Sequence, residues 1–193
     1  MDDPRLVFKS FLQDSSGDKN EGEIDDLVNE FKDFSFRKKE LIVRPGEISN
    51  VLYFVIAGVQ RSYYLKEKEY TVAFAYENSF CAVPDSFLLN RPSKHYLEAV
   101  TDSHMLGIKR VKFYNLMEQH MWLLKMMFGF QEMMLGGLHD RMTEIMALSM
   151  EERFEAFCGR SFHLFARIPH KYIASYLNID PTNLSKLLNR KLV

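Results

Sequence analysis

Residues 167–191 read RIPHKYIASYLNIDPTNLSKLLNRK, and this stretch decides how the C-terminal part of the chain folds. Tyr172, Ile173, Leu177 and Ile179 keep apolar residues on one helical face. Asn178 interrupts that helix where a tight turn is needed. Asp180 is placed to cap a second helix, and Pro181 suits its first position, where a missing N–H costs nothing. Leu184, Leu187 and Leu188 form a second apolar face. Two short helices joined by a tight turn, the second rich in Thr, Asn, Ser and Lys on its outer side, form a helix-turn-helix pattern sized for a DNA major groove. An ordinary helical hairpin with a solvated basic face has the same pattern, and these residues alone leave both readings open.

Charge sharpens the contrast between this end and the rest. From Arg160 onward six cations (Arg160, Arg167, Lys171, Lys186, Arg190, Lys191) face one acid, Asp180, giving +5. The whole chain is −1, so the first 159 residues carry about −6. A basic module on an acidic body suits phosphate contacts at one end.

The 193 residues suffice for one large or two small domains, and 47% hydrophobic residues suffice for a core. Asp14–Glu23 reads as a polar loop. The acidic start Met1-Asp2-Asp3 is unlike a signal peptide, and no run approaches a membrane span, so a cytoplasmic protein without membrane association is expected. Cys81 and Cys158 are too few for a disulfide framework or a cluster held by this chain's thiolates, and are expected to be small buried residues. No cofactor or metal is expected. The six histidines lack ligand spacing, and no Ser/His/Asp, HExxH, P-loop or GxGxxG arrangement appears, which argues against an enzyme.

Upstream, helices are expected over about Pro4–Leu12 and around Ile24–Phe31. Short runs rich in Val, Tyr, Phe and Thr follow: Glu40–Val43, Val51–Ile56, Gln60–Leu65, Tyr70–Tyr76, Tyr96–Val100 and Met105–Ile108. Their spacing, with turns at Gly46 and Gly58 that call for positive φ, predicts an antiparallel sandwich or barrel. Val111–Phe157 is helical in pattern and holds nine of the eleven methionines. Leu124, Met127, Met134, Leu138, Ile145 and Leu148 follow a loose seven-residue repeat, broken by Gln131 and Arg141, which suits a dimer seam or packing on the chain's own barrel. Gly136-Gly137 weakens that helix by about 1 kcal/mol per glycine or admits a neighbouring backbone. Ser149 with Glu152 has capping-box spacing and marks a helix restart.

The order barrel, long helix, helix-turn-helix resembles the Crp/Fnr family. VRPGEISNVLYFVIAGVQRSYY, residues 43–64, looks like the first half of a cyclic-nucleotide-binding β-roll with Gly46 and Gly58 at its glycine turns, and residues 167–191 look like that family's DNA-binding element. The resemblance implies an α+β fold with a β-roll domain over 1–118, a long dimerisation helix over 119–148 and a helix-turn-helix domain over 149–193.

The family's phosphate-binding cassette carries a Gly-Glu pair for the ribose and an Arg with a small hydroxyl residue for the cyclic phosphate. The matching stretch here is ENSFCAVPDSFLLNRPSKHYLEA, residues 77–99. Ala82-Val83 stands at the Gly-Glu position, Pro84 removes a donor, and Ser93-Lys94 stands at the Arg-Ser position with Arg91 nearby. Cyclic AMP is therefore not the expected ligand, and the effector is an unidentified small molecule. Candidate pocket residues are Arg61, Tyr63, Phe80, Ala82, Val83, Arg91, Ser93 and Lys94. Arg61, Arg91, Lys94 and His95 either converge on an anion or are separate barrel-edge charges; Tyr63, Tyr64, Phe80 and Tyr96 either line a cavity or are core.

For the DNA element the resemblance implies base contacts at Pro181, Thr182 and Lys186, where relatives reading a TGTGA half-site use Arg, Glu and Arg. Asn183 and Ser185 share that face, and Lys171, Asn189, Arg190 and Lys191 suit phosphates. Little chain follows the second helix, so a terminal wing hairpin is not expected and two half-sites would be read by a homodimer. The expected function is a homodimeric transcription regulator binding double-stranded DNA. Activation would need an RNA polymerase contact, which no residue here assigns. The alternative is a ligand-binding or protein-interaction module whose DNA element has lapsed.

Overall fold

The computed structural model describes residues 3–16 and 21–192. It is a mixed α+β fold built on two four-stranded antiparallel sheets. Val51–Ala57 (β3) shows why the strands read as they do: Leu52 and Phe54 point to one face, Tyr53 and Val55 to the other, and all four are buried. A strand covered on both sides loses polar alternation and becomes a continuous apolar run.

β3 lies between Ser103–Lys109 (β8) and Phe80–Cys81 (β6), with Lys32–Phe36 (β1) beyond β8, giving the order β1-β8-β3-β6. The second sheet runs Leu41–Val43 (β2), Tyr96–Ala99 (β7), Gln60–Leu65 (β4) and Glu69–Ala75 (β5), with β2 and β5 at its edges. The strands Glu40–Val43, Val51–Ile56, Gln60–Leu65, Tyr70–Tyr76, Tyr96–Val100 and Met105–Ile108 are all present to within two residues at either end. β1 and the two-residue β6 were not anticipated. Gly46 and Gly58 have φ of +89° and +103°, as the turn reading requires.

Between the sheets Val43, Tyr53, Val55, Cys81, Val83, Leu97 and Met105 fill the interior. Burial pushes the Tyr53 hydroxyl and the Cys81 thiol each up to about 12. Helices cover the outer face of the first sheet: Pro4–Ser16 (α1), Glu21–Glu30 (α2), Arg110–Gln119 (α4) and Met121–Ala147 (α5), around Phe8, Phe31, Phe54, Leu106 and Leu123. Asp14–Ser16 of the expected polar loop close α1 and Glu21–Glu23 open α2, where acids favour the helix N-terminus; residues 17–20 lie outside the described residues. Pro84–Leu89 (α3) links β6 to β7.

α5 ends before Ser149. Ser149 accepts the Glu152 amide (3.2 Å) and Glu152 accepts the Ser149 amide (2.8 Å), the complete capping box that starts Met150–Ser161 (α6). A 3-10 turn (Phe162–Ala166), His170–Leu177 (α7) and Pro181–Leu192 (α8) follow. Phe154, Phe157, Leu164, Ile173, Leu177 and Leu184 form their core, and Val59 and Val100 of the sandwich join it. No helix of the described residues is long and apolar enough to cross a membrane.

Candidate nucleic-acid interface

The turn between α7 and α8 is fixed by its own chemistry. Asn178 takes φ of +53°, while its N–H reaches Ser175 O and the Ile179 N–H reaches Ala174 O (3.0 Å), so the last carbonyls of α7 are satisfied. Asp180 Oδ1 accepts the Thr182 amide (2.8 Å), and that amide holds the Asp180 carboxyl below its usual range. Leu184, Leu187 and Leu188 are buried against α6 and α7. The opposite face of α8 therefore presents Pro181, Thr182, Ser185, Lys186, Asn189 and Arg190 to solvent, with Asn183 half-buried beside them. Ser185 donates to Pro181 O (3.0 Å). Lys171 projects from the start of α7 and is exposed. The structure thus brings the eight predicted contact residues onto one two-helix unit.

The charge count needs correction, because three of the six cations are spent internally. Arg160 pairs with Glu144 at the end of α5 (2.5 and 3.1 Å), Arg167 grips Glu77 with both nitrogens (2.7 and 2.5 Å), and Lys191 bonds Glu155. Lys191 is thus not the free phosphate contact expected of it. Lys171, Lys186 and Arg190 form no ion pair among the described residues.

The unit sits against the second sheet. Ser175 Oγ of α7 accepts the Thr71 amide (2.9 Å) and donates to Glu69 O (2.8 Å), both on the edge strand β5. Arg61, facing α7 from β4, is 1% exposed and lies between the rings of Tyr63 (4.2 Å) and Tyr172 (3.7 Å). Tyr63 stacks in turn on Tyr96 of β7 (4.8 Å), and burial with Glu98 beside it pushes the Tyr63 hydroxyl up to about 12. Arg61 Nη2 donates to Glu98 Oε2 (2.9 Å) and Glu69 Oε2 (2.8 Å). Its Nε and Nη1 have no hydrogen-bond acceptor among the described residues, and the flanking π-faces are their compensation. Four planar groups, Tyr96, Tyr63, Arg61 and Tyr172, so run from the sandwich into the two-helix unit.

This corrects the anion reading of Arg61. The cavity it borders, about 420 Å³, is walled by Lys68, Tyr70, Lys171, Asn178 and Pro181 and by none of Arg91, Ser93 or Lys94. Arg91 is exposed and reaches Asp85 (3.4 Å), while Lys94 is exposed. Ser93 is buried with its hydroxyl closed on the His95 backbone (2.7 and 2.9 Å). Val83 is 1% exposed, inside the sandwich core. Phe80 and Ala82 instead border a cavity against α5, and Tyr64 is exposed. The eight pocket candidates do not form one site.

α5 supplies a second surface. Met121, Phe128, Leu135 and Met142 recur every seven residues, and Leu124, Leu138 and Ile145 keep the same interval three residues on, with Gln131 in step. Each of the seven apolar ones is at least 44% exposed, so two complete heptad rows face outward. Of the repeat read from sequence, Leu124, Leu138 and Ile145 belong here. Met127 packs on the chain's own core, Met134 borders the cavity, and Leu148 lies past the helix end.

Residues 33–120 match the family model of the cyclic nucleotide-binding domain. No curated protein matches the chain in sequence. Among solved structures, FixK2 from Bradyrhizobium japonicum has a TM-score of 0.74 at 20% identity, over 83% of each chain. A CooA mutant from Carboxydothermus hydrogenoformans scores 0.69 at 18% identity, covering 86% of this chain and 78% of that one. The catabolite activator protein of Thermus thermophilus scores 0.55 at 18% identity, covering 88% and 82%. At such identities the likeness is one of fold.

Proposed function

We propose, for a chain whose fold is that of the Crp/Fnr regulators, that it is a transcription regulator that binds double-stranded DNA as a homodimer and is not an enzyme. The observation that carries this is the outer face of α8: a capped helix whose leucines are buried and whose free face offers Thr182, Ser185, Lys186, Asn189 and Arg190, with both cations unpaired. Thr182 and Lys186 are placed to meet base edges, whereas Lys171, Asn189 and Arg190 suit phosphates. Three cations of the two-helix unit without an ion pair among the described residues give modest affinity, and two chains joined along the heptad rows of α5 would place two reading helices on half-sites about 34 Å apart.

The packed sandwich interior argues against a cyclic nucleotide as the ligand. Val83 stands where the family's ribose-binding carboxylate would be and is itself core, so a phosphate there would have no cation and a ribose no acid. The test is selection of bound duplexes from a random library by the full chain, with Lys186→Ala/Arg190→Ala as control. Enrichment of a two-fold symmetric site, lost in the variant, is expected. Equal enrichment by both proteins would move DNA reading off Lys186 and Arg190, and none by either would favour a ligand-binding module without DNA function.

A further inference from the structure

Outside the sandwich, β6, α3, α1 and α5 border a half-open cavity of about 480 Å³, a size usual for small-molecule sites. Phe11, Phe80, Ala82, Met127, Phe130 and Met134 form its walls, and none of its fourteen lining residues is charged. Phe11 and Phe130 lie nearly parallel (5.8 Å, 10°), and Phe80 stands edge-on to both (5.8 Å, 81°; 5.4 Å, 75°). Asn78, Ser79 and Gln131 are its polar groups. The cavity reaches down to Leu52 and Phe87, 5% and 3% exposed, so it opens into the core.

We propose that this cavity binds an uncharged, mostly apolar small molecule with an aromatic part. A charged ligand would lose its hydration against walls holding no counter-charge. Aromatic rings present faces and edges that Phe11, Phe80 and Phe130 complement. A second copy of the chain is a different occupant with its own surface. The outward heptad rows of α5 share only Gln131 with the cavity, so a partner helix seated on those rows leaves the cavity to a ligand. Met127, Phe130, Gln131 and Met134 share one face of α5 at 3- and 4-residue steps. A ligand touching that face stabilises whichever placement of α5 fits it better, and this is how it would act as effector. That regulatory consequence rests on the regulator reading, whereas the binding does not.

The experiment is a fluorescence titration of the full chain, without DNA, using the neutral dye N-phenyl-1-naphthylamine. Trp122 is the single tryptophan and lies five residues before Met127, about 7.5 Å along the helix, so bound dye should emit by energy transfer from it. Saturation at one dye per chain is expected. Ala82→Phe, which fills the cavity, and Met134→Trp, which narrows its mouth and, adding a second tryptophan, is read by direct excitation of the dye, should each weaken binding at least roughly tenfold with thermal unfolding unchanged. If Ala82→Phe fails to fold, Met134→Trp decides alone. Unaltered binding in the folded variants, absence of saturable binding, or displacement of the dye by cyclic AMP would overturn the proposal. Binding that appears only on dilution to monomer would also overturn it, by making the partner chain the occupant. Failure of the duplex selection leaves the dye result standing.

Discussion

Arg61 is a cation in a place where charge is costly. Its carboxylate partner, Glu98, is its cross-strand neighbour and only 6% exposed, so removing the guanidinium strands a buried negative charge. Arg61→Ala should therefore cost about 3–5 kcal/mol by urea unfolding, while Arg61→Met/Glu98→Leu should recover most of the loss. A double variant as unstable as the single one would show that ring stacking, not the ion pair, carries the position. Nothing in the local pattern revealed this role. Glu98 is 37 residues away in sequence, and the Tyr172 ring comes from a helix beyond the sandwich, so a cation on a strand read equally as an anion ligand or as a barrel-edge charge. Asn178, Asp180, Ser149 with Glu152, and the two positive-φ glycines were legible because each satisfies its own neighbours, and local bonding leaves a local signature.

Among elements, α5 was the hardest to read. It is apolar on nearly every side, so several seven-residue rows fit its sequence equally well. Only the position of the first sheet separates rows that belong to the chain's own core from rows that face outward. The row through Phe128 and Leu135 was missed for that reason, and of the two readings left open for Met127 and Met134, packing on the chain's own barrel is the one that holds. Exposed by 61% and 69%, Phe128 and Leu135 can take charge without disturbing the fold. The full chain should sediment as a dimer and Phe128→Glu/Leu135→Glu as a monomer, with helical circular dichroism unchanged. A wild-type chain that sediments as a monomer would remove the seam. Strands β1 and β6 escaped for a different cause. β1 takes its pairing from β8, about 70 residues on, and offers only Phe34 and Phe36 as alternation; β6 is two residues long.

At the scale of the molecule, the contacts between the sandwich and the C-terminal helices set how stability responds to acid. Burial raises the proton affinity of Glu77, yet the Arg167 fork and the Gly58 amide outweigh it and hold the carboxyl below its ordinary 4.5. A depressed carboxylate adds stability that is complete above its ordinary value and disappears as pH falls through the folded one. Urea midpoints should thus drop below about pH 4.5, and Glu77→Gln should be weaker near neutrality with a flatter acid limb. An unchanged acid limb would mean that Glu144, depressed by Arg160 and Arg141 against its own burial, dominates instead. The bridge from Ser175 to β5 has a consequence of another kind. An edge strand with free amides and carbonyls is a template on which other chains add and precipitate. Here one hydroxyl on a helix caps two of those groups, the Thr71 N–H and the Glu69 carbonyl. Any swing that carries α7 off the sandwich strips that cap, so movement of the two-helix unit is bound to a hazard of aggregation, and solubility limits how long such a chain can stay open.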